Sequence, residues 1–480
     1  MAHSFHPKTI SFPLEIHHIR EASKPTMALP SAYRENLEAA LDPNRQKGQV
    51  FKLTAPADEL GCIDFGSNNT LSLGGSAATR EEFLRELARN PNFAIGTGGS
   101  RLLGGTTRYI DELERDLAHF YNADEGLILP SGYEGNVAIH ATLPQTGDAI
   151  IHDAKIHAST RDGMRSSKAH IIRPFAHNDP QSLYDVLEEV KLLEPAIADG
   201  LNTVFVTIES IYSMDGDVAP VAEIVNEAKR ALPKGNLVMI LDEAHSHGIV
   251  GPSGAGLACQ LGLEHEFAVR LHTFGKAIGG GGGIILCDGL VKRYLVSHAR
   301  NFMFTTAPAF TFFATIKAAV TVMSSEEGDW VSVAPFRQRS KFSLSNTDGG
   351  YQRRKQLQDR IYHFYDLLFH HPNWEHVRRS GILNIPTTDH FLKGSSFLVP
   401  IIPIITQPGY SHRLEKWLLD RGMYTHGVRY PVVPMAKERV RVMMHVENTP
   451  EQIEALVKSI MEWADQYAPT LSPTTFKLRL

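Results

Sequence analysis

Three side chains near the middle of the chain could do chemistry together. Asp242 and His245 lie in Asp242-Glu-Ala-His-Ser-His247, and Lys276 lies in Thr273-Phe-Gly-Lys276. Asp242 follows the apolar run Leu237–Leu241, and Lys276 comes shortly after an apolar run that ends at Leu271. Each therefore stands where a strand gives way to a loop. Five glycines, Gly279–Gly283, come next, and then the apolar run Ile284–Cys287. Without side chains there, a flat ligand or a neighbouring backbone can come close. The 242–247 stretch has three readings. A metal site would take Asp242, His245 and His247, but adjacent strand-end residues diverge and a further ligand must come from elsewhere. A turn with solvated polar groups is the plain one. The third is a cofactor clamp, in which a carboxylate, a histidine and a lysine face one flat ring.

The clamp suits pyridoxal 5′-phosphate. A lysine amine condenses with its aldehyde, and a carboxylate keeps its pyridine nitrogen protonated so that the ring accepts electrons. A histidine can hydrogen-bond its phenolic oxygen. Its phosphate needs backbone N–H groups and hydroxyls at the start of a helix. Ser131-Gly132-Tyr133, ahead of the helical run 134–141, and Thr273 supply these. Tyr133 or His157 could cover the ring face; an ordinary packed side chain is the lesser alternative for either.

The elements that must position these groups are legible as a pattern. Apolar runs at 148–151, 170–172, 203–208, 237–241 and 268–271 alternate with helical stretches such as Leu183–Leu193. Such alternation predicts an α/β fold with a large, doubly wound, mainly parallel sheet. Ligands gather at the carboxyl ends of the strands in such sheets, where His152, Asp153, Glu209, Ser210, Asp242–His247 and Thr273–Lys276 fall. Residues 96–108 form a glycine-rich loop that runs into a helix with Ile110, Leu113, Leu117 and Phe120 on one face. The loop lacks the strand–GxGxxG–helix order of dinucleotide sites. Around 324–355 the composition turns polar, which reads as a boundary or an exposed insertion. Strands follow near 396–405 and 440–444. A last helix opens on Thr449-Pro-Glu-Gln452, a capping box with Pro at its first position, and buries Ile453, Leu456, Ile460 and Trp463. The expected organisation is an N-terminal arm over 1–65, a large cofactor-binding catalytic domain over 66–325, and a smaller α+β domain over 326–480.

Composition narrows the partners. The 480 residues carry a net charge of −5 with histidine neutral, so nucleic acid and anionic membranes are not favoured. Cys62, Cys259 and Cys287 are odd in number and far apart, which gives neither a disulfide framework nor a paired metal spacing. A reduced, cytoplasmic setting is expected. No apolar run reaches the ~18 residues of a membrane span, and the first thirty residues lack a secretory pattern.

Several ordered motifs carry a family resemblance from about Ser67 to Val457. They are Gly96-Thr-Gly-Gly-Ser-Arg101, Ser131-Gly-Tyr133, Asp153-Ala-Lys-Ile-His157, Phe175-Ala-His-Asn-Asp179, Ser213-Met-Asp-Gly-Asp217, Asp242-Glu-Ala-His245 and Thr273-Phe-Gly-Lys276. With them the chain resembles the α-oxoamine synthases, fold-type I (aspartate aminotransferase-like) pyridoxal-phosphate transferases. The resemblance implies condensation of an amino acid with an acyl thioester, carried by coenzyme A or a carrier protein, with loss of CO2. Aminotransfer or other α-carbon chemistry, or an idle partner subunit of an active homologue, are the alternatives. It implies that Lys276 holds the cofactor and shuttles protons, Asp242 pairs with the pyridine nitrogen, His245 contacts the phenolic oxygen and His157 stacks on the ring. Ser131, Gly132, Tyr133, Ser213 and Thr273 surround the cofactor. It implies a homodimer with shared active sites, in which Thr305 or Thr306 reaches the neighbour's phosphate. It places the amino-acid substrate at Asn68 and at Arg441, with Arg429 as alternate and Arg439 as a solvated strand residue. The chain departs from the family at Ile110, where a histidine is common, and at Thr70 and Ser72, which replace the usual Tyr and Gly. These departures leave the substrate open.

Overall fold

The computed structural model describes residues 29–46, 53, 55–325, 349–387, 396–430, 432–434 and 437–467. Contacts divide the chain after Pro56. In the first part, the helix Ser31–Gln46 is held by Arg45, paired with Glu38 and Asp42 at 2.6 and 2.8 Å.

After the short strand β1 (Ile63–Asp64) come β2 (Glu125–Leu129), β3 (Ala149–Asp153), β4 (Ile171–Phe175), β5 (Val204–Glu209), β6 (Leu237–Asp242), β7 (Val269–Thr273) and β8 (Gly283–Cys287). Strands β2 to β8 form one sheet in the order β2-β8-β7-β6-β5-β3-β4. The neighbours from β7 to β4 are parallel, and β8 alone runs against its two neighbours. The sheet is therefore doubly wound and mainly parallel, as the alternation predicts. Every residue of β3, β5, β7 and β8 is buried, because both faces are covered. Successive side chains serve different cores: Ile151, Val206, Leu241 and Ile284 join one apolar cluster, and Ile150, Phe205, Ile240 and Ile285 the other.

Five more strands follow, β9 (Leu383–Asn384), β10 (Ile401–Thr406), β11 (Met423–Tyr424), β12 (His426–Val428) and β13 (Arg439–Met443), and all but β11 form a second sheet. Its order is β12-β13-β10-β9, all antiparallel, while β11 pairs with β1. Val440 and Val442 turn to the core with Leu414, Leu418, Ile453, Leu456 and Trp463. Arg439, Arg441 and Met443 take the other face, by the two-residue alternation of a strand. The last helix begins as its capping box requires: Thr449 N–H donates to Gln452 Oε1 at 3.0 Å, and Gln452 N–H to Thr449 Oγ1 at 3.3 Å. Of the polar stretch at 324–355, residues 326–348 lie outside the described residues. Its end is not an insertion: the helix Gly350–His370 starts there and buries Leu357, Ile361, Phe364 and Leu368.

The glycines after Lys276 answer to backbone, not only to a ligand. Gly279 has φ +67°, and a Cβ on it would stand 2.1 Å from the Gly74 nitrogen. A Cβ on Gly283 would stand 2.9 Å from the Gly132 nitrogen. These contacts clamp the β7–β8 connection between two other segments. By contrast, the nearest atom to a Cβ on Gly280 is 3.4 Å away. Gly279→Ala should therefore cost at least ~2 kcal/mol, and Gly280→Ala well under half of that. Denaturant unfolding of the two variants checks the contrast.

Candidate active site

The site grows out of strand register. Glu209 and Asp242 are paired across parallel β5 and β6, and Asp242 is level with Leu271 of β7. Three strand ends thus converge on one edge of the sheet, and the chain past β7 brings Thr273 and Lys276 to it.

Asp242 is buried, and both its oxygens are held. Oδ2 accepts from Asn136 Nδ2 at 2.8 Å, and Oδ1 from the Ala244 N–H at 2.9 Å. Asn136 also donates to Ser159 Oγ at 3.0 Å. Ser159 Oγ lies 2.7 Å from His157 Nδ1, which accepts the Ser159 N–H as well. This relay leaves the proton of neutral His157 on Nε2. Asn136 lies on the helix Gly132–Thr142, whose cap Ser131 accepts from Glu134 N–H at 3.1 Å. The Gly132 and Tyr133 N–H groups precede the helix's own ladder. Thr273 abuts them: a Cβ on Gly132 would stand 3.2 Å from the Thr273 Cβ. A larger residue would fill this cradle. Tyr133 is half exposed, donates to Asp162, and sets its ring edge-on to His157 at 6.4 Å.

Burial pushes the Lys276 amine below its usual pKa; Asp242 and Glu209 pull it up and the Arg441 charge lowers it further. Among the described residues its Nζ has no hydrogen-bond or ion-pair partner. His245 is buried, and burial first, then the charges of Lys276, Arg441 and His157, hold it well below the usual imidazole pKa. It is neutral at pH 7. His247 does not join Asp242 and His245. Its Nδ1–H donates to the Thr273 carbonyl at 2.9 Å, and its Nε2 accepts from the Tyr121 hydroxyl at 2.5 Å. The structure brings together Ser131, Gly132, Thr273, Asp242, His157 and Lys276. Thr305 and Thr306 are exposed, and the Thr306 backbone forms an isolated bridge with Ser100 of the glycine-rich loop.

Three arginines were open for a carboxylate, and the structure separates them. Arg429 pairs with Glu415. Arg439 is not solvated: it is 4% exposed, paired with Asp215 and bonded to the Met214 carbonyl at 3.1 Å. Asp215 was invisible to strand alternation because it arrives from a distant loop. Arg441 is 8% exposed and donates to the Ser213 carbonyl at 3.2 Å. Its Nε has no partner, and among the described residues no carboxylate lies within ion-pair distance. Burial lowers its pKa to about 10. Asn68 Oδ1 is likewise buried without a partner.

Glu209 stands at a strand end in the sequence, and nothing in the sequence alone assigns it a role. It is buried, one oxygen has no partner, and burial followed by the Asp242 charge raises it far above the carboxylate range. The clue would have been two carboxyls ending strands that prove adjacent. Two of the departures have identifiable surroundings. Ser72 occupies φ +52°, a left-handed conformation that suits the family's glycine. Ile110 is buried beside an apolar cavity of about 510 Å³ walled by Phe93, Tyr109, Phe310 and Phe313.

Residues 61–460 match the family model described as aminotransferase class I and II. The chain belongs to that family. It is a pyridoxal-phosphate enzyme of fold type I, similar to the α-oxoamine synthases. The enzyme is 36% identical over 438 residues to aminoacyl transferase sphA of Aspergillus fumigatus, covering 91% of this chain and 88% of the relative. It is also 36% identical over 437 residues to 8-amino-7-oxononanoate synthase of Emericella nidulans, covering 90% and 96%. A solved serine palmitoyltransferase of Sphingomonas wittichii aligns with a TM-score of 0.70 over 92% of this chain and 98% of its own, at 22% identity, a likeness of fold. Among the described residues no helix is long and apolar enough to cross a membrane.

Three family motifs meet at the strand ends beside the site. His177 Nδ1 is 2.8 Å from Asp153 Oδ1, and its Nε2 bonds Asp217. Burial alone would lower the imidazole pKa, but the bonds and charges of Asp153 and Asp217 raise it to about 9. A raised histidine stabilises the fold fully below its unfolded pKa, near 6.5, and loses that contribution as pH climbs through about 9. His177→Gln should lower the unfolding temperature by about 2–5 °C at pH 6.5. The gap to the unsubstituted enzyme should narrow by pH 9.5. Thermal scans at the two pH values check this.

Proposed function

We propose that the enzyme condenses an amino acid with an acyl thioester, releasing CO2 and the free thiol and leaving an α-amino ketone. The observation that carries this reading is Lys276 and Arg441, neither of which has an ion-pair partner among the described residues, with Lys276 close enough to strand-end Asp242 to feel its charge. The names of the two relatives above, an aminoacyl transferase and an oxononanoate synthase, support it.

When bound, pyridoxal 5′-phosphate supplies an aldehyde for amines and a ring that accepts the electron pair of a breaking bond at the α-carbon. Ser131, Gly132, Tyr133 and Thr273 would hold its phosphate with N–H groups and hydroxyls. Asp242, fixed by Asn136 and Ala244, would face the pyridine nitrogen, and His245 the phenolic oxygen. His157, locked through Ser159, would cover the ring face, with Ser213 nearby. Burial holds the Lys276 amine below its usual pKa, which favours its basic form. Lys276 anchors the cofactor, removes the α-proton of the amino acid, and returns a proton to the same carbon once CO2 has left. Net, one proton is taken up. Arg441 holds the substrate carboxylate until it is lost, and Asn68 offers its carbonyl oxygen to the same ligand. Residues 66–325 serve the cofactor, and 326–480 the carboxylate. A second copy completes the site through Thr305 or Thr306, at the neighbour's phosphate. The three free cysteines fit a cytoplasmic setting.

Borohydride treatment of the yellow holoenzyme, followed by peptide mapping, should place a pyridoxyl group on Lys276. A label on Lys155 or Lys292 instead would be incompatible with the assignment. Arg441→Ala should raise the amino-acid Kd by ~10-fold or more, the worth of a charged hydrogen bond. Arg429→Ala, which breaks a half-exposed pair, should stay within ~3-fold. Spectral titration with the amino acid, and release of thiol from the thioester, are the two measurements.

A further inference from the structure

The face of the second sheet that carries Arg441 bears another nitrogen-rich side chain without a partner. His426 lies directly opposite Arg441 in the β12–β13 register. Residues opposed in this way project from the same face with Cβ atoms about 5 Å apart. Gly427, between His426 and Val428, turns the other way: its N–H donates to Glu415 at 2.8 Å. The His426 ring is partly buried, edge-on to Tyr424 at 5.0 Å. It packs on Gly66, where a Cβ would stand 3.3 Å from its Cδ2. Among the described residues it has no hydrogen-bond partner. Both acids in its surroundings are engaged. Glu415 holds Arg429 and the Gly427 N–H, and Asp64 accepts from the Gly66 and Ser67 N–H groups at 2.8 and 2.9 Å.

We infer that His426 is a second anchor for the substrate carboxylate, donating a hydrogen bond to the anion that Arg441 holds. The inference rests on the reading of Arg441 given above. Without substrate, burial first and the Arg441 charge second keep His426 below the usual imidazole pKa, while Glu415 and Asp64 pull weakly the other way. A carboxylate placed between the two side chains offsets the Arg441 charge and favours protonated His426. Binding of the amino acid then takes up a proton, and the grip tightens as pH falls.

The test is a spectral titration of the holoenzyme with the amino acid at several pH values, for the unsubstituted protein and for His426→Gln and His426→Asn. The amino group of the substrate titrates identically in all three, so the ratio of variant to unsubstituted Kd isolates the residue. That ratio should be about tenfold at pH 6 and fall to about twofold by pH 8.5. The KM for the acyl thioester should not move, which also reports an intact fold. A ratio that is flat with pH in both variants, while Arg441→Ala still weakens binding, overturns the inference and leaves the Arg441 reading standing. An Arg441→Ala enzyme that titrates like the unsubstituted one overturns both.

Discussion

A guanidinium buried with no carboxylate beside it is the constraint around which this molecule is arranged. Removing a cation from water is costly unless something answers its charge, and among the described residues Arg441 is answered only by a backbone carbonyl. Its field reaches the groups around it. After burial itself, Arg441 is among the causes that lower the pKa of His245, Lys276 and His426. The basic nitrogens around it are therefore biased toward their neutral forms. An anionic ligand relieves that bias at one point and changes the protonation of everything nearby.

The rigidity of the other half comes from sheet register. Asp242, Glu209 and Thr273 are placed by backbone ladders whose spacing cannot vary, and Asn136 ties the first of them to the helix beneath the phosphate site. Lys276 differs: it rides a connection between β7 and the one reversed strand, β8. Glycine contacts at Gly74 and Gly132 pin that connection. A long, reactive side chain is thus set on a short, tightly held base, so its reach is its own and not that of a swinging loop.

Much of this was legible from the chain alone. Apolar runs marked the strands of the large sheet because both of its faces are buried, and the reactive residues stood out because they end those runs. The family motifs then assigned them in order. What could not be read was adjacency between strands distant in sequence. Glu209 and Asp242 are 33 positions apart, yet side by side. His177 waits for Asp217 from another loop. Alternation put Arg439 and Arg441 on one face and could not tell them apart; only the arrival of Asp215 neutralises one and leaves the other bare. The polar stretch near 350 misled because its charged residues coat a helix whose apolar stripe is spread over 21 positions.

The segment that enters the large unit is sewn to the second sheet. β1 lies along β11, Met443 N–H donates to the Phe65 carbonyl at 2.8 Å, and Val446 N–H to the Thr70 carbonyl at 2.9 Å. Asn68 sits between those two stitches. It is therefore carried on the same slab as Arg441, although 373 positions separate them in the chain. Any breathing of that slab against the cofactor side moves both together, like two teeth on one jaw. The distance between them is set by the backbone bonds that tie Phe65 to Met443 and Thr70 to Val446.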